Sequence, residues 1–279
     1  MNKYVKLLCV SVLPAMLLGA CGGSGGASDT AAAAVSEDAN SDVARLVERH
    51  IKPASLSINS DAEHYQIALI GNSHVSGLAP VLKQTIEAMA PDKTVSIEVL
   101  GFGFTDGLIS DGGIVTRFTQ PQTAWTHLII QGQKYSQSMS KRYSTEATQQ
   151  WIAMAKTHGA TPILFPEHPQ RGNTEEGDYV LGIHKTIANI EPSCLAPIPV
   201  AWELTMDNRP GVSLHAADGN HASTQGFLLS ALVFTQIITG QSVDTGAVNI
   251  QADVEPQLQA ELAQHAAQAI IEHPACPEV

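Results

Sequence analysis

The apolar run Ile67-Ala-Leu-Ile70 breaks off at Gly71-Asn72-Ser73, and that junction constrains the fold more than any other stretch of the chain. Four consecutive apolar residues fit a parallel strand buried on both faces, and a glycine followed by two small polar residues fits a tight turn into a helix. The same alternation continues downstream. Val75, Leu78, Leu82, Ile86 and Met89 recur at helical spacing and stop before Pro91. Further strands are expected at 94–100, 125–130 and 162–165, with a proline-interrupted edge strand around 196–200. Helices are expected at 144–158 and 179–190, from a Ser223 cap to 238, and near 258–270. Strands alternating with helices at βαβ spacing imply a three-layer α/β/α sandwich around a mostly parallel sheet, formed as one domain over 41–279. At the carboxyl end of the strand before it, the Ser73 hydroxyl sits where open α/β sheets bind ligands, so Ser73 is a candidate nucleophile.

The first forty residues read differently. Lys3 and Lys6 precede an apolar stretch, Leu7 to Leu18, that is too short to span a bilayer, and Leu18-Gly19-Ala20-Cys21 follows. This order is that of a bacterial secretory signal, and Leu-Gly-Ala-Cys resembles the lipobox of bacterial lipoproteins. The resemblance implies cleavage after Ala20, lipidation of Cys21 and, with Gly22 next, an outer-membrane anchor facing the periplasm. Residues 21–40 then read as a lipidated cysteine and a flexible linker, about 25 Å long on average. Removing residues 1–20 takes the net charge from −12 to −14. So acidic a chain has nothing to hold nucleic acid or anionic lipid, which leaves acyl chains to supply the membrane attachment. Cys194 and Cys276 remain, and in an oxidising compartment they could bridge or stay as two thiols.

A second motif, Asp218-Gly-Asn-His221, lies directly before the Ser223 helix. A carboxylate three residues ahead of a histidine can bond Nδ1, fix the tautomer and leave Nε2 to take a proton from a serine. Gly71-Asn-Ser-His-Val-Ser76 together with Asp218-Gly-Asn-His221 resembles the first and last blocks of the SGNH, or GDSL-type, hydrolases. His221-Ala-Ser-Thr-Gln-Gly226 and the apolar helix after it extend the likeness to roughly residues 65–240. The resemblance implies a flavodoxin-like sheet, ester hydrolysis through an acyl-serine without cofactor or metal, and a triad of Ser73, His221 and Asp218. It also implies an oxyanion hole of the Ser73 amide, a glycine amide after the second strand, and an asparagine after the third. Here the glycine is Gly101 or, by preference, Gly103. Gln131-Gly132-Gln133 stands where the family has Gly-x-Asn, which makes Gln133 the expected third donor.

Eleven histidines raise the question of a metal, but no spacing matches a zinc motif. His168, after the fourth strand, is expected on the cleft wall in contact with substrate, and His74 on its rim. The polar segment 136–144 is no greasy lid, which favours short acyl groups such as acetyl on carbohydrate over long chains. The competing readings are a binding lipoprotein that kept the fold without the chemistry, or a thioesterase or phospholipase.

Overall fold

A computed structural model describes residues 29–242, 250 and 253–278, with side chains from Ala39 onward. The expected signal segment 1–20 and Cys21 lie outside the described residues. Two units are distinguished, Met1–Ala39 and Asn40–Val279. The second contains five strands and, among the described residues, eight complete α-helices.

The strands are β1 (His64–Gly71), β2 (Thr94–Phe102), β3 (His127–Ile130), β4 (Thr161–Leu164) and β5 (Cys194–Leu195). All pairings are parallel and the order is β2-β1-β3-β4-β5, the flavodoxin-like arrangement implied by the resemblance. The unbroken apolar run of β1 is explained by its two faces. Tyr65, Ile67 and Leu69 enter one core, whereas Ala68 and Ile70 enter the other.

The first core is closed by α2 (Leu78–Met89), α7 (Ile198–Asn208), α8 (Thr224–Thr239) and α9 (Pro256–Glu272). The second is closed by α3 (Thr105–Ile109), α4 (Gly112–Phe118), α5 (Glu146–Thr157), α6 (Glu176–Ile190) and the last residues of α1 (Asp29–Arg49). Ser223 caps α8 as expected, its Oγ accepting from Gly226 N–H at 3.3 Å, and most of that helix is buried.

Two local expectations are corrected. Residues 198–200 begin α7 instead of forming an edge strand, because Pro199 falls in the first helical turn, where its missing N–H costs nothing. The last strand is therefore only Cys194–Leu195. Helix α1 also starts at Asp29, inside the expected linker. Ala31 to Ala34 carry strong helix propensity, although their composition offers no core-facing stripe. Cys194 and Cys276 form a disulfide, and Leu195 N–H donates to Ala275 O at 2.6 Å, so the tail is fastened along the short edge strand.

Candidate active site

The turn after β1 is built by Asn72. Its Oδ1 accepts from His74 N–H at 3.1 Å and caps the single 3-10 turn Ser73–Val75, which leaves Ser73 exposed at the sheet's carboxyl edge. The Asn72 N–H donates to Gln131 Oε1 at 2.7 Å, tying this turn to the end of β3. Between them Gly132 is irreplaceable. It adopts φ +96°, and a Cβ there would lie 2.7 Å from Gly103 O.

Loop 218–221 arrives from the far end of the chain. Ser73 O–H donates to His221 Nε2 at 2.7 Å, and His221 Nδ1–H donates to Asp218 Oδ2 at 2.6 Å. Asp218 Oδ1 accepts from the backbone N–H groups of Asn220 and His221, each at 3.0 Å. The bond from His221, followed by those two amides, holds the Asp218 carboxyl well below the usual carboxylate range. It is therefore ionised, accepts from Nδ1, and fixes the tautomer in which Nε2 has a lone pair for the serine proton.

The segment leaving β4 holds this loop. Arg171 N–H donates to Gly219 O at 2.8 Å, and Arg171 Nη2 donates to Ala216 O at 2.6 Å. Gln170 Nε2 donates to Asn220 Oδ1 at 2.9 Å, and His168 Nε2 to Asn220 O at 3.0 Å. His168 is buried and stacks on Trp202 with ring centroids 3.7 Å apart. It braces the 218–221 loop instead of lining a cleft wall. Gly226 is required beneath that loop, since a Cβ would lie 2.3 Å from Leu214 O and 2.7 Å from the Trp202 ring.

His74 is likewise not a rim residue. It is 7% exposed, packs against His221 with centroids 5.2 Å apart, and its pKa is pushed down by burial. Burial thus disfavours a second positive charge beside the His221 ring.

The expected oxyanion donors are elsewhere engaged. Gly103 N–H donates to Gly71 O at 2.8 Å, closing β2 against β1. Gln133 is 5% exposed, and its Nε2 donates to Lys134 O at 2.9 Å and Ser144 O at 3.0 Å, while Oε1 accepts from Thr148 O–H at 2.7 Å. Both of its amide protons are used, so Gln133 anchors the loop before α5. The glutamine that reaches the Ser73 turn is Gln131. With Oε1 on Asn72 N–H, its Nε2 donates one proton to Glu167 Oε2 at 2.5 Å. The other proton has no acceptor among the described residues. Its signal was a polar side chain immediately after a buried strand, at the edge where the site forms.

No family model matches this chain, and no curated protein matches it at a significant level. Solved structures do match. A protein from Slackia heliotrinireducens, described among the SGNH hydrolases, has 19% identity and a TM-score of 0.50, over 63% of this chain and 99% of its own. A DUF4886 family protein from Bacteroides uniformis has 13% identity and a TM-score of 0.56, over 77% and 98%. Sequences this distant share architecture only, and the architecture is the one expected from the two sequence blocks: this chain has the fold of the SGNH hydrolases.

Proposed function

We propose that the protein is a serine esterase that removes short acyl groups, such as acetyl on carbohydrate, and is held at the bacterial outer membrane by lipid on Cys21. The observation carrying this reading is the unbroken relay from Ser73 O–H through both ring nitrogens of His221 to Asp218. Ser73 Oγ attacks the ester carbonyl while its proton passes to His221 Nε2. The imidazolium, paired with Asp218, then protonates the departing alkoxide oxygen and leaves an acyl-serine. Water enters, gives a proton to Nε2 and attacks the acyl carbon. Ser73 recovers its proton as the free acid departs.

The Ser73 N–H and the remaining proton of Gln131 Nε2 stabilise the tetrahedral oxyanion in each half-reaction. Ser73 and Asp218 are exposed and His221 is half-buried, so the relay lies open at the surface. An ester projecting from a bulky saccharide can reach such a serine without a tunnel.

A fluorophosphonate probe should label the full chain and fail to label Ser73→Ala. Absence of labelling on folded wild-type protein would refute the esterase reading in favour of a binding lipoprotein. In a panel of nitrophenyl esters acetate should be cleaved best. A preference for long chains would shift the assignment to lipid or thioester substrates.

A further inference from the structure

We infer that the cavity between the 134–145 loop and α6 is a sugar-binding subsite for the alcohol part of the substrate, specific for neutral oligosaccharides. In its kinetic arm this rests on the esterase reading. The cavity holds about 370 Å³, within the range of small-molecule pockets, and Tyr135, Tyr143, Tyr179, Arg142 and Asp178 line it.

Tyr135 sets its geometry. Its hydroxyl is drawn inward between Glu167 Oε1 at 2.8 Å and Glu176 Oε1 at 2.9 Å, which leaves the ring as a fixed wall. Tyr179 stands edge-on to it with centroids 6.3 Å apart, forming a corner of two aromatic surfaces. Such surfaces cover the apolar C–H faces of a pyranose, and rigid tyrosines lose little entropy in doing so.

Arg142 and Asp178 complete the chemistry. Neither forms a hydrogen bond or ion pair among the described residues, although both line one cavity. The third charged group of the lining, Lys134, is paired with Asp106 at 2.6 Å, so a ligand with a single charge would be attracted by one of the other two and repelled by the other. A neutral polyol satisfies both, because its hydroxyls donate to the carboxylate and accept from the guanidinium.

Ser73, His221 and Asp218 do not line the cavity, but a chain of side chains connects it to them. Three successive hydrogen bonds lead from its wall to the nucleophile turn: Tyr135 to Glu167, Gln131 to Glu167, and Asn72 N–H to Gln131. A second cavity of about 520 Å³ shares Lys134 and Tyr143 with the first, so the binding surface continues for further sugar units.

The test begins with titration calorimetry of xylotetraose, cellotetraose and N-acetylated chitotetraose against full-chain Ser73→Ala. At least one should bind at a single site, and binding should be lost on adding Tyr179→Ala. No heat with any of the three at millimolar sugar would overturn the inference whatever the turnover, as would tighter binding of a tetra-uronide. In the catalytically intact chain, Tyr179→Ala and the pair Arg142→Ala with Asp178→Asn should each raise KM for the O-acetylated tetrasaccharide about tenfold. Both constants for 4-nitrophenyl acetate should stay the same. Unchanged KM for the sugar ester would overturn the subsite. Failure of wild type to cleave 4-nitrophenyl acetate would instead count against the esterase reading, with calorimetry still deciding the subsite.

Discussion

Asp218→Asn tests the relay more sharply than removal of the serine, because the structure dictates how the new amide must sit. Two backbone N–H groups, from Asn220 and His221, point at Oδ1, each at 3.0 Å. An asparagine satisfies them only with its carbonyl oxygen, which places its NH₂ where Oδ2 now accepts from His221 Nδ1 at 2.6 Å. Two donors would then face each other, and the imidazole escapes by moving its proton to Nε2. That nitrogen can no longer take the proton of Ser73. A tautomer forced the wrong way costs on the order of 10⁴ in kcat where this constellation has been taken apart. Asp218→Ala removes the brace without imposing the wrong tautomer, and water can accept from Nδ1 at this exposed position, so its loss should be smaller. The assay is hydrolysis of 4-nitrophenyl acetate by the two variants, with thermal unfolding to confirm that both fold. An asparagine variant as active as the alanine variant, or more so, would refute the tautomer argument.

The two glutamines should separate. Gln131→Ala should lower kcat by about 10²–10³ through the lost oxyanion donor. Gln133→Ala should leave kcat per folded molecule near wild type and lower stability by roughly 1–3 kcal/mol, since it strands two carbonyls, while the Thr148 hydroxyl keeps Thr105 as its partner. Kinetics and denaturant titration of both variants check this. Acid should destabilise the fold before it protonates the carboxylates. Burial depresses His127 from 6.5 to about 3 and His184 to about 4, so between those values and 6.5 the unfolded chain binds more protons than the folded one. Stability is then complete above pH 6.5 and falls as pH drops towards 4, by a few kcal/mol. A melting temperature flat across that interval, or as steep in His184→Leu as in wild type, would contradict it. Reducing Cys194–Cys276, whose partners are 82 residues apart, should cost about 4.5 kcal/mol if the reduced tail gains the chain entropy that the bridge denies it. Calorimetric unfolding with and without reductant measures the difference.

What could be read from sequence depended on how strongly local residues fixed their own environment. The end of β1 was legible because an apolar run buried on two faces must stop where the backbone turns, and Asn72 and Ser73 are the residues a capped turn needs. The α8 start was legible for the same reason, with Ser223 as cap and Gly226 forced by the Trp202 ring. Residues 196–200 were not, because two prolines among apolar residues suit either a sheet edge or a helix start. Short helices such as α3, five residues long, give no periodicity to read. The choice between Gln131 and Gln133 was beyond sequence altogether. Strand alternation would put both on one face, but the left-handed Gly132 between them breaks that alternation and turns the second glutamine towards Thr148.

The bracing of the histidine loop bears on why its one carboxylate can serve the imidazole. An arginine lies within reach of this loop, and an ion pair between Arg171 and Asp218 would look like an obvious way to rigidify it. The guanidinium instead donates to the carbonyl oxygens of His215 and Ala216, and the remaining ties come from the neutral groups of His168 and Gln170. Among the described residues, the ion-pair partner of Asp218 is His221. A permanent cation on that carboxylate would neutralise it equally before and during the reaction, and stabilisation equal in both states does not speed a step. With the loop fixed largely through its backbone carbonyls, the Asp218 charge is, under the proposed esterase mechanism, kept for the imidazolium that would exist only while the serine proton is in transit.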